Sequence, residues 1–225
     1  MIQINNYDQI LEILEMAFRE RYEKNATDRL IGILFAPPKT EIGDTEILRG
    51  LDYFHYRSGN NIDFFCVGYV GENHPAAKSL DIEVGGRTWW FSNKIFNDTR
   101  RQFEKEISWR YSGEADLILA VAEFDPAKGD VKLNFTNCIV FDLDKMKRDN
   151  AILSVRRLFE ELFRFSEEYL TGDPIAELRS SKSKQTIGKS VWLAFLETLP
   201  DAASKLYEIG WKQGYHYQQL NLQAK

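Results

Sequence analysis

Apolar residues recur at Tyr7, Ile10, Leu11, Leu14 and Phe18, the three- and four-residue spacing of one helix face, with Glu12, Glu15, Arg19 and Glu20 largely opposite. Asn6 stands where its side-chain oxygen can cap this helix, which the pattern carries over 7–24. Residues 30–36 are continuously apolar and stop at Pro37-Pro38, as a central strand covered on both faces must. A helix then starts at Asp44 or Thr45, carries Ile47, Leu48, Leu51 and Phe54, and ends at Gly59, where a residue without Cβ can turn left-handed. The next strand is expected over 62–70.

Residues 80–84 and 88–91 flank Gly85-Gly86-Arg87, whose paired glycines permit the positive φ values of a tight hairpin. A helix over 97–111 buries Phe103 and Ile107 and ends at Gly113. Residues 115–124 form a buried strand, 125–130 a turn, and 131–143 the returning strand. Asn150 opens a helix with Val155, Leu158, Phe159, Leu162, Phe165 and Tyr169 on one stripe, closed by Gly172. After a polar loop over 179–186, helical segments over 187–199 and 201–212 carry Trp192, Phe195, Leu206, Ile209 and Trp211.

These elements specify an α/β chain, a mixed sheet of four or more strands with helices on both faces, an inserted hairpin and C-terminal helices. One domain over 1–225 is expected, with its core at about 30–170, an N-terminal helix over 7–24 and a helical extension over 174–222. From Leu30 to Leu170 the order is strand, helix, strand, helix, strand, strand, helix, setting the early hairpin aside. That order resembles the thioredoxin-like fold, in which the last two strands form a hairpin and a final helix packs on the sheet; a Rossmann-like open sheet is the alternative. The resemblance implies a Cys-x-x-Cys pair after the first strand and a cis-proline before the third. This chain has Pro37-Pro38-Lys39-Thr40-Glu41 at the first place and Glu114-Ala115 at the second, so thiol-disulfide exchange is excluded there.

A net charge of −5 and a pI near 5.4 oppose the basic footprint that phosphate backbones select, so no nucleic-acid partner is expected. Cys66 and Cys138 both lie inside apolar runs and read as reduced core thiols. No apolar run reaches membrane-spanning length and no leader pattern opens the chain, so no membrane partner and a cytoplasmic location are expected.

Chemistry has few candidates. The strand that ends Phe141-Asp142-Leu143-Asp144 places two carboxylates two residues apart. It resembles the first motif of haloacid dehalogenase-type phosphohydrolases, which implies Asp142 as nucleophile, Asp144 as acid/base and a magnesium cofactor. Lys145 and Met146 depart from that motif, where the family has Gly and Thr. Gly188-Lys189-Ser190 matches only the end of a phosphate-binding loop. His55, His74 and His216 are too scattered to nominate a metal site, and no G-x-S-x-G elbow occurs. Open α/β sheets gather ligands beyond the carboxyl ends of their strands, which nominates Lys39, Glu41, Asp44, Glu72, Asn73 and His74. The leading expectation is a non-catalytic protein-binding or scaffold domain without a cofactor, with a protein partner or self-association through the aromatic C-terminal segment. The alternatives are a magnesium-dependent phosphohydrolase and a small-ligand sensor using the two loops.

Overall fold

From Leu30 onward the second strand has no solvent-facing position, so it can form only where both faces are covered. The computed structural model, which describes residues 1–20, 27–58, 62–72, 74–168 and 217–220, places it inside a mixed six-stranded sheet. The sheet contains β1 (Ile2–Ile4), β2 (Asp28–Phe35), β3 (Asp63–Val67), β7 (Asp116–Asp125), β8 (Asp130–Asp142) and β9 (Tyr217–Leu220), in the order β1-β3-β2-β7-β8-β9. β1 and β2 run parallel to β3, whereas β7 is antiparallel to both β2 and β8.

Alternation along β2 assigns its two faces to different helices. Gly32 pairs in register with Phe64, whose ring fills the space where a Cβ on Gly32 would stand 2.8 Å away. Phe64 then meets Phe159 at 4.9 Å on α5 (Val155–Glu168), and Phe159 meets Phe54 at 4.9 Å on α2 (Arg49–Ser58). Phe35 points the other way, onto Phe103 at 5.3 Å on α3 (Asn93–Glu106) and onto Trp109 at 4.5 Å. α1 (Tyr7–Glu20) closes that side through Tyr7 against Phe103 and Phe18 against Phe124. Helices therefore cover both faces, and each fully buried Phe contributes about 1.5–3 kcal/mol by leaving water.

The strand expected over 62–70 is two strands in two sheets. Gly68 takes φ +82, and a Cβ there would lie 2.7 Å from the Cβ of Phe96, so the chain turns out of the main sheet at a residue that must be glycine. β4 (Tyr69–Val70) joins β5 (Lys78–Val84) and β6 (Arg87–Phe91) in a three-stranded sheet of order β4-β6-β5. Gly85 and Gly86 both have positive φ in the β5–β6 turn, as their pairing in the sequence predicts. Tyr69 fastens this insertion to the end of β2 by donating its buried hydroxyl to the Ala36 carbonyl at 2.7 Å.

Three helix boundaries differ from the sequence pattern because caps and long-range contacts set them. Ser92 accepts from the Ile95 N–H and starts α3 at Asn93; the helix ends at Glu106, where extended residues bring Ile107 and Trp109 back into the core. The charged stretch after Asp142 is a helix, α4 (Leu143–Arg148), capped by the Asp142 carboxylate accepting from the Lys145 N–H at 2.9 Å. Asn150 does not open the following helix: it lies in the left-handed region at φ +54. α5 begins at Val155, whose N–H donates at 2.6 Å to Glu46 of the π-helical segment Gly43–Leu48. The helix expected from Asp44 or Thr45 thus starts in π-helical geometry and continues as α2. Finally, residues 217–220 form β9 on the edge of β8, where a helical extension over 174–222 was expected. Pairing with a strand neighbour along Cys138 to Phe141 is a long-range contact that periodicity alone does not register. The other residues of that extension, with Trp192, Phe195, Leu206, Ile209 and Trp211, lie outside the described residues, as do residues 21–24 of the N-terminal helix.

Neither cysteine is in a disulfide among the described residues, both are fully buried, and burial pushes the Cys66 thiol up to about 12. Because the thiolate is the reactive form, native protein treated with a thiol reagent at pH 8 should show labelling of neither cysteine before unfolding. Mass spectrometry that finds either thiol modified within minutes would contradict this burial. No helix among the described residues is long and apolar enough to cross a membrane.

Candidate functional site

The chain leaves β2 through Ala36-Pro37-Pro38 and folds back on itself at once. Thr40 donates both its N–H and its hydroxyl to the Pro37 carbonyl, at 3.0 and 2.9 Å, and its Oγ1 accepts from the Gly43 N–H at 3.1 Å. A Cβ on Gly43 would lie 2.0 Å from the Pro37 oxygen, so this turn closes only around a glycine. Lys39, Thr40 and Glu41 are thereby held as one wall of a pocket.

The second wall is Gly113-Glu114, immediately before β7, and the third is α4 with Asp144 and Arg148 one helical turn apart. Ala115 joins these two walls: its N–H donates to Asp144 Oδ2 at 2.7 Å and its carbonyl accepts from the Leu143 N–H at 2.9 Å. The seven residues Lys39, Thr40, Glu41, Gly113, Glu114, Asp144 and Arg148 line a space of about 430 Å³. Lys147 on α4 also pairs with Glu46 at 2.8 Å, tying this helix to the segment that follows the first wall.

The electrostatics are uneven. Asp144 is only 7% exposed, and burial above all, with Glu114 and Asp142 nearby, lifts its carboxyl to about 6 against the pull of the Ala115 N–H and Arg148. Behind the second wall Asp116 is also buried and lifted to about 6, first by burial and then by Asp142. Its Oδ2 accepts from Trp109 Nε1 at 3.2 Å and the Ser112 N–H at 3.0 Å, while its Oδ1 has no hydrogen-bond partner among the described residues. Tyr111 donates its hydroxyl to the Glu114 carbonyl, and its phenol is raised by burial and the surrounding carboxylates. Lys39 and Arg148 are exposed. Among the described residues neither forms an ion pair, and neither do Glu41 and Glu114.

Two separate nominations from the sequence therefore meet here: Lys39 and Glu41 from the loop after β2, and Asp144 from the end of β8. Asp142 does not line the pocket; one of its carboxylate oxygens caps α4. Asp44 is exposed on the π-helical segment, Glu72 is exposed beyond β4, and His74 Nδ1 accepts from the Ala76 N–H at 3.3 Å. None of these three lines the pocket; for Glu72 and His74 the reason is the turn at Gly68, which carries the loop after Val70 into the other sheet. Asn73 and Gly188-Lys189-Ser190 lie outside the described residues. Pattern reading missed Thr40, Gly113, Glu114 and Arg148 as lining residues. Arg148 could have been found four residues after Asp144 had α4 been recognised from its Asp142 cap.

No group of three or more His, Cys, Asp or Glu side chains among the described residues is arranged to hold a metal ion. No protein-family model, curated protein or solved structure matches this chain.

Proposed function

We propose that this chain is a non-catalytic binding domain that takes a small polar ligand in the pocket between the loop after β2, the loop before β7 and α4. The observation that carries this reading is the convergence of Lys39, Glu41, Glu114, Asp144 and Arg148 on one cavity of about 430 Å³, a size that suits a small molecule. Its carboxylates favour binding over chemistry. Asp142 gives one oxygen to the α4 cap and does not line the cavity that Asp144 lines, so the two carboxylates do not face one site as an attacking nucleophile and its acid/base partner need to.

The strand order supports a thioredoxin-like reading of the core, since β7 and β8 form a hairpin and α5 packs on the sheet. On that reading the two stretches corresponding to the redox centre, residues 37–41 and 114–115, supply two walls of this pocket without its sulfur chemistry. Two buried cysteines outside any disulfide among the described residues suit a reducing compartment such as the cytoplasm.

Thermal melts of the full chain against a panel of small polar metabolites test the binding reading. A ligand at a hundred times its Kd stabilises the native state by about 2.7 kcal/mol, a readily measured rise in Tm. We expect at least one compound to produce such a rise in the wild type and none in a Lys39→Ala/Arg148→Ala variant. A compound that is turned over, with turnover lost in Asp144→Asn, would make the chain an enzyme and overturn the proposal.

A further inference from the structure

Charges of both signs line the pocket without forming ion pairs with one another among the described residues. Lys39 and Arg148 stand exposed, with no ion pair among the described residues, although Glu41, Glu114 and Asp144 line the same cavity. Asp144, 93% buried by its 7% exposure, has one oxygen on the Ala115 N–H, and the other accepts no hydrogen bond among the described residues. Unlike Asp116 Oδ1, that oxygen is not sealed from solvent, so a cationic donor entering the cavity can make a charge-assisted hydrogen bond to it. The exposed guanidinium and ammonium gain from an anion in the same way.

A ligand of one sign cannot meet both needs. A simple amine on Asp144 and Glu114 would sit beside Lys39 and Arg148, and a simple acid on the two cations would face the carboxylates; like charges brought together oppose binding. We propose that the ligand is a small zwitterion of the free amino acid class, its ammonium received by Asp144 and Glu114 and its carboxylate by Lys39 and Arg148. This inference rests on the pocket being a binding site. It assigns a role to the Asp144 oxygen that the Ala115 amide leaves open, and to the two cations on the pocket wall.

The test is isothermal titration of the full chain with the free amino acids at neutral pH. For the tightest binder, the matching amine lacking the carboxylate and the matching acid lacking the ammonium are then titrated. At least one amino acid should bind, and removing either charged group should weaken binding by tenfold or more. Lys39→Met with Arg148→Met should weaken the amino acid tenfold or more while the amine binds no more weakly than before, and Asp144→Asn should weaken the amino acid while the acid binds no more weakly than before. Thermal melts establish that each variant is folded, and should Asp144→Asn fail to fold, Glu114→Gln serves in its place. If an amine or an acid alone binds as tightly as its amino acid, or if a non-zwitterionic compound binds in a Lys39-dependent manner while no amino acid does, the zwitterion proposal fails and the binding pocket stands. If no amino acid, amine or acid binds, and no polar metabolite raises Tm, both readings fall.

Discussion

Stability should fall by several kcal/mol as pH rises from about 4 to about 6, through the carboxyls of Asp116 and Asp144. Both are lifted from the ordinary 3.8 to about 6, chiefly by burial, so the native state holds protons that the unfolded chain has already released. The contribution is fully present below the unfolded value of 3.8 and is lost once pH passes about 6. At about 1.4 kcal/mol per unit, each shift corresponds to about 3 kcal/mol, and the pair gives less than twice that because both face Asp142. Asp116 also faces Trp109, Ser112 and Tyr111, and Asp144 faces Glu114 and Arg148. Glu160 works at lower pH and with opposite sign: burial raises its carboxyl, but Arg57 and Tyr53 hold it below the usual range, so its contribution is lost on acidification. Urea melts of wild type and Asp116→Asn at pH 4.5, 6.0 and 7.5 isolate the effect. The amide keeps an acceptor oxygen for Trp109 and Ser112 but cannot ionise, so the decline between pH 4.5 and 7.5 should shrink by about 2 kcal/mol. Parallel curves for the two proteins would refute the assignment. Comparing slopes removes the separate cost of burying the amide nitrogen.

Phe35→Ala should cost about 3–5 kcal/mol, enough to threaten the folded state of a domain whose whole stability is about 5–15 kcal/mol. Its ring is fully buried and meets Phe96, Phe103, Trp109 and Tyr111, so truncation opens a cavity where α3 and the loop before β7 converge on the sheet. Edge-to-face and tilted pairs of this kind contribute about 0.5–1.5 kcal/mol each beyond area burial. Met16→Ala supplies the contrast, since a side chain 61% exposed on α1 should change stability by less than about 0.5 kcal/mol. Denaturant midpoints at constant m-value measure both. A loss below about 1 kcal/mol for Phe35→Ala would mean that the aromatic cluster does not hold this face of the sheet. Because Phe35 pairs with Asp116 across β2 and β7, the same variant should also disturb the carboxyl titration described above.

Local chemistry alone determined several things about this protein. Continuous apolar runs at β2, β3 and β7 specify strands buried on both faces, Asn6 caps α1 through the Gln9 N–H at 2.8 Å, and Gly85-Gly86 fixes the β5–β6 turn. Those signals lie within a few residues of the structure they produce, which is why an α/β class with a mixed sheet was legible. The tertiary structure alone decided what depends on distant partners. Glu46 caps α5 from 109 residues away, Gly68 sends one apolar run into two sheets because Phe96 occupies its missing side chain, and β9 pairs with β8 where the pattern reads helix. The candidate site divides in the same way. Lys39, Glu41 and Asp144 were nominated on separate segments, but only the fold brings them together with Glu114 and Arg148, and only the fold removes Asp142, Asp44, Glu72 and His74 from that pocket. Residue type and spacing fix what a side chain can do. The Asp142 cap comes from Lys145, only three residues on, whereas the amide that claims Asp144 lies 29 residues away and the burial that lifts Asp116 and Asp144 comes from the packed fold.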